Sequence, residues 1–477
     1  MRKIPKYVRV RIWGFVCSGL LLVLIVKCWL NAFGAENAFG DKEIDPTETP
    51  VTEMSLREDT AHELALGGWA KQNIRVLIKT SRSENLLHKE LLIGSDQKWY
   101  LELGENPGQR EWHDAEEAVW ITDESECFSS GNSFAIVGTA EKNGRILLKN
   151  VERDQGIPSY RGTMEIRKLS DGMAVINSLG LEEYLLGVIP SEMPASYPAE
   201  ALKAQAICAR TYAVRHLIAP GYPELNAHLD DSTAYQVYGN LPEQENASKA
   251  VEETEGMVLL TADGNLMDTL YYSTSCGRGT DASVWDDAGG RKADPFAEGV
   301  DDPVFLLEEC QDDLEFELPW YRWTYEVQEL DLGMLENRLR KLLATGKAIK
   351  LNALRDLVVT ERAKGGAAKE LAIISDEGTY WIRGEKRIRE LLCDGKTKAK
   401  RKDGSEILCS TLLPSAFFLM EIGKKEGNVV GYLLTGGGYG HGVGMSQNGA
   451  MEMALRGGTA ADVLKYYYED GILSKME

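Results

Sequence analysis

Residues 183–213 read EYLLGVIPSEMPASYPAEALKAQAICARTYA, and Glu192 stands within them in the tetrapeptide Ser-Glu-Met-Pro. Pro198 suits the first turn of a helix, and residues 201–215 contain neither glycine nor proline. The pattern therefore predicts a helix over residues 201–215 and places Glu192 on the loop that leads into it.

The predicted helix carries two cations, Lys203 and Arg210, which are seven residues apart. Seven residues are close to two turns, so both side chains project from one face with roughly 10 Å between them along the axis. Spacing alone favours a solvated basic face beside a loop carboxylate, because charged helical residues usually point to water. A catalytic acid flanked by two cations is the alternative.

Composition limits the class of protein and the kind of partner to which Glu192 could belong. A chain of 477 residues with 43% hydrophobic residues buries a sizeable core and predicts two or three subdomains. Residues 1–35 hold six basic residues and no acid, so the rest of the chain has 47 basic against 74 acidic residues and a formal charge of −27. This acidic balance argues against a nucleic-acid partner.

The N-terminus carries a membrane-targeting pattern. Residues 12–26 are apolar and follow five basic residues, and with residues 27–33 the segment approaches the 20 or so residues that span a bilayer. The only weak cleavage site is Phe33-Gly34-Ala35. We expect an uncleaved signal anchor in the cell membrane, with the basic end in the cytoplasm and the body outside, and a cleaved signal peptide is the alternative.

The rest of the chain predicts an α+β fold: a mixed, strand-rich body with a catalytic helix-loop subdomain around a cleft. Short β-prone runs lie at residues 74–78, 135–137, 146–148, 173–176, 257–260 and 266–273, and helical patterns lie at residues 247–254 and on Leu335, Leu339, Leu342 and Leu343. The predicted domains are a tail and anchor (1–35), a polar linker (36–65), a strand-rich region (66–180), a catalytic core (181–310), an inserted subdomain (311–400) and a C-terminal part that completes the cleft (401–477).

A glycine-rich stretch is the second informative feature. Residues 435–447 read TGGGYGHGVGMSQ, which indicates that backbone passes close to something. No G-K-[ST] and no G-x-G-x-x-G register is present, so a nucleotide site is rejected. Ser446 suits a helix cap, and His441 either reaches a cleft or, as is more common for a lone histidine in such a turn, is structural.

A third patch, residues 271–280, reads YYSTSCGRGT. Small hydroxyls beside an aromatic ring suit sugar recognition, although the same residues also suit a tight turn with a packed Trp285. No G-x-S-x-G elbow supports a serine hydrolase.

The six cysteines after the N-terminal segment match no zinc pattern. Export permits disulfides, and two pairs are conceivable, but the sequence does not give the connectivity. Cys208 in the helix is expected to be a small buried residue. The six are Cys127, Cys208, Cys276, Cys310, Cys393 and Cys409, and the conceivable pairs are Cys276 with Cys310 and Cys393 with Cys409.

Together the three patches resemble the stage II sporulation protein D (SpoIID/LytB) family. The resemblance rests on EYLLGVIPSEMP (183–194), ALKAQAICARTYA (201–213), STSCG (273–277) and GYGHGVGMSQNGA (438–450). It covers roughly residues 70–477, thinly between about 310 and 400.

The resemblance implies a membrane-anchored lytic transglycosylase that cleaves peptidoglycan glycan strands lacking stem peptides, working beside a cell-wall amidase in the engulfment step of sporulation. Glu192 would be the catalytic residue, a single acid that protonates the glycosidic oxygen and then, as a base, takes the proton of the muramic acid 6-hydroxyl to close a 1,6-anhydro ring. A hydrolase would need a second acid, for which Asp230 and Asp231 are possible partners.

The resemblance also implies substrate contacts. We expect Arg210 to hold the lactyl carboxylate of denuded muramic acid, because a cation closer to Glu192 would lower its pKa, and we expect Met193 and Pro194 to help keep Glu192 protonated. The predicted substrate-binding residues are Lys203, Arg210, Tyr212, Tyr272, Ser273, Thr274, His441 and Gln447.

Two positions depart from the family pattern. Some members bind zinc through a histidine and cysteines, whereas here His228 has no cysteine beside it, so zinc is doubtful and no cofactor is expected. Tyr272 and Cys276 stand where histidine and glycine are common. Two other functions stay open: a glycan-binding modifier that enhances an amidase without cleaving sugar, and an inert wall-anchored scaffold.

Overall fold

The computed structural model describes residues 72–81, 85–104, 108–285, 301–343 and 349–476. The predicted anchor and linker lie outside the described residues. Within those residues, no helix is both long enough and apolar enough to cross a membrane.

The N-terminal half of the body is built from β-sheets. A seven-stranded sheet has the order β11-β1-β10-β9-β6-β3-β4, and a four-stranded sheet has the order β5-β2-β7-β8. The strands are β1 Asn73–Leu77, β2 Glu90–Ser95, β3 Trp99–Leu103, β4 Arg110–His113, β5 Ala118–Thr122, β6 Phe134–Thr139, β7 Ile146–Leu148, β8 Ser159–Tyr160, β9 Thr163–Leu169, β10 Gly172–Gly180 and β11 Leu229–Asp230. The four strands predicted in this region are confirmed.

Strand β10 is buried on both faces, because successive side chains of a strand point to opposite sides of the sheet. Met173 and Val175 enter the main hydrophobic core, while Ala174 and Ile176 enter a smaller one. This strand ends where the first helix begins, and so the sheet fixes the position of that helix.

Seven α-helices lie within the described residues. They are α1 Leu181–Glu192, α2 Ala199–Ile218, α3 Glu245–Glu253, α4 Leu332–Leu342, α5 Glu385–Leu392, α6 Gln447–Leu455 and α7 Ala460–Tyr467. Helix α2 packs against α1, α3, α6 and α7, and its many alanines allow the close approach that this requires. The predicted helices at residues 201–215, at residues 247–254 and around Leu335 are confirmed.

One expectation was wrong in detail: Glu192 is the last residue of α1 and does not lie on a loop. The helix continues through Pro190, and its final turn closes when the Met193 amide donates to the Ile189 carbonyl at 2.9 Å. A proline usually marks the end of a helix, whereas Pro190 lies inside this one, and the sequence pattern predicted no helix over residues 181–192.

The remaining strands form two larger sheets, which have a second core of their own, and two strand pairs, which pack on the main core. The sheet orders are β19-β18-β14-β21-β20, β15-β16-β17, and the pairs β12-β23 and β13-β22. The strands are β12 Met257–Leu260, β13 Tyr271–Tyr272, β14 Trp323–Val327, β15 Leu354–Arg362, β16 Ala368–Ser375, β17 Gly378–Arg383, β18 Lys398–Arg401, β19 Glu406–Leu408, β20 Phe418–Lys425, β21 Asn428–Gly436, β22 Met445–Ser446 and β23 Ile472–Lys475. Of the strand expected over residues 266–273, only β13 forms.

This second core draws most of its residues from 323–443 and packs β14–β21 with α4 and α5. It extends to Cys276 and Val284, which follow the Ser-Thr-Ser patch. The fold is therefore α+β, as expected, and the domain boundaries themselves stay predictions.

Candidate active site

Glu192 lies at the carboxyl end of α1 with one carboxylate oxygen in use. The Val237 amide donates to Glu192 Oε1 at 2.5 Å. The other oxygen, Oε2, makes no hydrogen bond to any described residue, and the side chain is partly exposed. Glu192 therefore keeps one oxygen available to a substrate atom.

Burial raises the pKa of Glu192 to about 7, and the hydrogen bond from the Val237 amide lowers it only in part. Neither Lys203 nor Arg210 contributes to this shift. Met193 is buried beside it, as expected, while Pro194 is exposed. A carboxyl group with this pKa is protonated in about half of the molecules at neutral pH, which suits a general acid.

Three tyrosines surround the acid. Burial raises the pKa of Tyr184, Tyr212 and Tyr271, and the charge of Glu192 adds to the increase at each. Gln236 links two of them, because it accepts from the Tyr184 hydroxyl at 3.1 Å and donates to the Tyr271 hydroxyl at 3.0 Å. Of the predicted contacts, Tyr212 is thus close to Glu192. Sequence reasoning gave no role to Gln236 or to Val237.

The glycine-rich stretch meets Glu192 through Gln447. Gln447 Nε2 donates to the backbone carbonyl of Glu192 at 3.0 Å. Ser446 caps α6 by accepting from the Gly449 amide, as expected. The glycines predicted that the backbone passes close to something, and in the structure it passes close to other parts of the protein. For example, a Cβ on Gly444, which has φ +80°, would lie 1.9 Å from the Leu270 carbonyl oxygen.

The Ser-Thr-Ser patch pairs with the same stretch. Strand β13 lies parallel to β22, with Tyr271 opposite Met445. Thr274 exchanges two backbone hydrogen bonds with Tyr439, and its hydroxyl accepts from Asn448 Nδ2 at 2.8 Å. Ser273 is partly exposed and its hydroxyl lies 3.1 Å from that of Thr274, while Tyr272 is buried. The three sequence patches therefore form one continuous structure.

His441 is held by interactions of its ring with the backbone. Nδ1 accepts from the Val443 amide at 3.1 Å, and the ring also bonds the Tyr271 backbone. Its ring centroid lies 5.7 Å from that of Tyr272 and 5.3 Å from that of Trp285. Burial lowers the pKa of His441 to about 4. The ring is neutral at physiological pH and links the glycine-rich stretch to the patch at residues 271–280. A structural role therefore describes His441 better than a substrate contact.

Arg210 takes a different place from the predicted one. It is fully buried, and its guanidinium forms a bidentate ion pair with Glu182, with both N···O distances 2.7 Å. Nη2 also donates to the Val251 carbonyl at 3.2 Å, and the third nitrogen, Nη1, donates to the Met257 carbonyl at 3.1 Å. No part of Arg210 is left for a substrate carboxylate. Its observed role is to tie α1 to α3 and β12.

Lys203 also pairs with protein acids, since its Nζ lies 2.9 Å from Glu200 and 2.8 Å from Glu253. The two cations of the predicted basic face are thus paired with acids on the neighbouring helices or on α2 itself.

A cleft of about 510 Å³ is lined by Ser191, which precedes Glu192 in the chain, and by Val237, whose amide donates to the Glu192 carboxylate. Glu192 itself is not among the lining residues. Most of the lining residues have polar side chains, which suits a sugar with many hydroxyls. The lining residues are Glu152, Arg153, Asp154, Ser191, Asp231, Ser232, Thr233, Val237 and Asn240.

Asp230 and Asp231, the possible second acids, are both buried and occupied. Asp231 pairs with Arg153 at 2.6 Å and accepts the Lys79 amide at 3.1 Å. Asp230 accepts from the hydroxyls of Tyr222 at 2.7 Å and Ser232 at 2.6 Å. Neither carboxylate is free to activate a water beside Glu192.

Sequence reasoning missed a buried acid, Glu315, which lies in the segment where the resemblance is thin. It is 3% exposed, accepts the Ser275 amide at 3.3 Å, and burial raises its pKa. It supports the Ser-Thr-Ser patch from the segment that precedes β14. No motif marks this residue, so no sequence signal was available to find it.

The donors near His228 do not fit zinc. His228 Nδ1 accepts the Arg75 amide at 2.9 Å, and burial lowers the pKa of His228 to about 4. Among residues 72–476, as far as they are described, no three histidines, cysteines or acids are grouped to hold a metal ion. The six cysteines beyond the N-terminal segment are all free thiols.

Comparison with known proteins gives matches over both parts of the body. A family model described as "Stage II sporulation protein" matches residues 170–260, which include α1, α2 and Glu192, and a domain of unknown function (DUF8618) matches residues 304–444. An uncharacterised protein of Brachyspira hyodysenteriae is 31% identical over 311 residues, which cover 65% of this chain and 70% of that protein. The stage II sporulation protein D of Bacillus subtilis is 29% identical over 317 residues, covering 63% and 76%.

The chain belongs to the stage II sporulation protein D family. The amidase enhancer of Bacillus subtilis is also similar, at 31% identity over 294 residues. That match covers 60% of this chain but only 39% of the amidase enhancer. Within the family, the sporulation domain and the domain of unknown function correspond to the parts of this chain that hold Glu192 and the second core, respectively.

Proposed function

We propose that this protein is a lytic transglycosylase that cleaves peptidoglycan glycan strands lacking stem peptides and leaves 1,6-anhydro-N-acetylmuramic acid ends. The observation that carries the proposal is Glu192, whose pKa is raised to about 7 by burial and whose Oε2 is free of described partners. Both properties are required of one group that donates a proton and then accepts one.

The reaction uses Glu192 twice. The protonated carboxyl group donates to the glycosidic oxygen as the bond to muramic acid C1 breaks, and the neighbouring sugar leaves with a free hydroxyl. The carboxylate then takes the proton of the muramic acid 6-hydroxyl, and the oxygen of that hydroxyl bonds to C1 and closes the 1,6-anhydro ring. The proton returns to Glu192, so the cycle needs no second acid, in keeping with the occupied state of Asp230 and Asp231.

The tyrosines and Gln447 support this chemistry. Tyr184, Tyr212 and Tyr271 keep the surroundings of Glu192 weakly polar, and Gln447 holds its backbone. The polar cleft beside Ser191 and Val237 supplies room for the glycan.

A second candidate function rests on a specific observation, the 31% identity to a protein named amidase enhancer. In that case the chain would bind denuded glycan and increase the activity of a cell-wall amidase without cleaving sugar. Glu192 would then be a binding residue.

One experiment separates the two functions. The full chain is incubated with amidase-stripped glycan strands, and new 1,6-anhydro ends are measured by mass spectrometry for the wild type and for Glu192→Gln. Anhydro ends that vanish in the variant support catalysis. Binding without new ends, together with faster amidase turnover when the chain is added, supports the enhancer. The Glu252→Gln variant, which alters an exposed acid on α3, is the matched control.

We also propose that residues 1–35 anchor the protein in the cell membrane with its body outside. Support for the anchor comes from the basic and apolar pattern of that segment. The protein would act during the engulfment step of sporulation and beside an amidase, in line with the names of its relatives. The test is whether the full chain stays in the membrane fraction after a carbonate wash and whether protease added to intact protoplasts digests its body.

A further inference from the structure

A second cavity lies between the Ser-Thr-Ser patch and the second core, away from Glu192. Its volume is about 540 Å³, within the usual range of ligand pockets. The lining residues are Arg278, Asp301, Asp302, Pro303, Val304, Phe305, Thr360, Glu361, Arg362, Ala363, Gly365 and Gly366. None of them belongs to the predicted substrate contacts.

Most charges in this cavity are already neutralised. Arg362 is 5% exposed and pairs with Asp302 at 3.1 Å, and it also donates to the Gly366 carbonyl at 3.0 Å. Glu361 pairs with Lys369 at 2.8 Å and with Arg383 at 3.0 Å. These pairs build the walls of the cavity.

Arg278 differs from the other cations. It is exposed, and its guanidinium makes no ion pair or hydrogen bond with any described residue. The guanidinium lies 4.4 Å from the centre of the Phe305 ring, which holds it over the cavity. An arginine that has no partner among the described residues and is positioned by an aromatic ring, in a chain of net charge −21, is suited to bind a carboxylate. Asp301, exposed at the rim, is the opposing charge.

The cavity is continuous with the active-site motifs. The Thr280 amide donates to the Gly442 carbonyl at 2.8 Å, and a Cβ on Gly365 would lie 2.0 Å from the Gly279 carbonyl oxygen. Arg278 is four residues beyond Thr274, so their Cα atoms are at most about 14 Å apart.

We propose that this cavity is a second glycan subsite, in which Arg278 binds the lactyl carboxylate of a muramic acid residue at some distance from the cleaved bond. The inference rests on the proposed substrate and deepens it. Denuded glycan carries such carboxylates along the strand. Arg210, the arginine expected to bind one, is instead paired with Glu182. Arg278 supplies the missing cation. The Phe305 ring and the polar walls suit the sugar that carries the carboxylate.

The test measures binding apart from catalysis. All variants are made in the full chain carrying Glu192→Gln, and the dissociation constant is measured for amidase-stripped glycan and for the same glycan with its carboxylates converted to amides. Arg278→Gln is expected to weaken binding of the stripped glycan about tenfold or more, because it removes a charge-assisted contact. Asp301→Asn is expected to tighten it a few-fold. The amidated glycan should bind equally well with and without Arg278.

Arg456→Gln, which removes an exposed arginine at the end of α6, is the matched control and should leave binding unchanged. Equal binding of stripped glycan by the Arg278 variant and its parent overturns the proposal. So does an equal loss for both glycans, or a chain that does not bind stripped glycan at all. If binding depends on Arg278 while the Glu192 enzyme forms no anhydro ends, the subsite stands and the proposed catalysis fails.

Discussion

Gln447 Nε2 donates a hydrogen bond of 3.0 Å to the backbone carbonyl oxygen of Glu192, and so joins two residues that are 255 positions apart in the chain. The acceptor lies in the last turn of α1, where the carbonyls have no partner inside the helix. The glycine-rich motif therefore completes the end of the helix that carries the proposed catalytic acid.

This bond predicts that Gln447 positions Glu192. Gln447→Ala is expected to lower kcat about tenfold, because the last turn of α1 loses a buried hydrogen bond worth roughly 1 to 2 kcal/mol. The KM for stripped glycan should change little. Steady-state kinetics measure both constants, with the exposed Gln328→Ala as the control. A raised KM with unchanged kcat would instead make Gln447 a direct substrate contact.

The pKa of Glu192 predicts the pH dependence of turnover. Since burial raises this pKa to about 7, the protonated acid that the first step needs is lost as the pH rises through that value. The value of kcat/KM is expected to fall about tenfold for each pH unit above 7. His441 does not change the pH dependence of kcat/KM between pH 5 and 8, because burial lowers the pKa of His441 to about 4. A rate that is flat from pH 6 to 9 would rule out Glu192 as the acid.

The same pKa predicts how stability changes with pH. The folded chain binds a proton at Glu192 up to about pH 7, whereas the unfolded chain releases it near its usual value of 4.5. Stability therefore falls as the pH rises from 4.5 to 7. Glu192→Gln removes this loss, so its stability relative to the wild type should increase over that range, by at most roughly 3 kcal/mol. Urea unfolding at several pH values measures the difference.

Glu200→Gln gives a control of opposite sign. Although burial acts to raise the pKa of Glu200, its bonds to Lys203 and the Ala460 amide lower it overall. Its stabilising contribution is present above its unfolded pKa and is lost as the pH falls. This variant should therefore become less stable than the wild type as the pH rises. If both variants followed the same trend, the assignment of a raised pKa to Glu192 would be wrong.

The sequence predicted the elements whose pattern is local. The strand with Ile74 and the helix with Arg210 formed as expected, because alternation and the absence of helix breakers act within a few residues. Helix α1 was not predicted and Glu192 was expected on a loop, since the helix accommodates Pro190 and Gln447 stabilises its last turn from outside. That stabilisation comes from a distant part of the chain.

The partners of charged residues were the least predictable part. Helical spacing placed Lys203 and Arg210 on one face, but it gave no information on what faces them. Glu182 lies 28 residues before Arg210 and belongs to no pattern that links the two. For the same reason no sequence pattern indicated Glu315, which supports the Ser-Thr-Ser patch through the Ser275 amide.

The Arg210–Glu182 pair leads to the last prediction. Arg210→Lys keeps the charge but loses the bidentate geometry and the bonds to the carbonyls of Val251 and Met257. We expect the free energy of unfolding to fall by roughly 2 kcal/mol or more, because buried acceptors are left unsatisfied. The affinity of the folded fraction for stripped glycan should be unchanged. Lys203→Gln, which removes partly exposed pairs, should cost less than about 1 kcal/mol. Weaker glycan binding by Arg210→Lys at unchanged stability would restore the substrate contact that the sequence predicted.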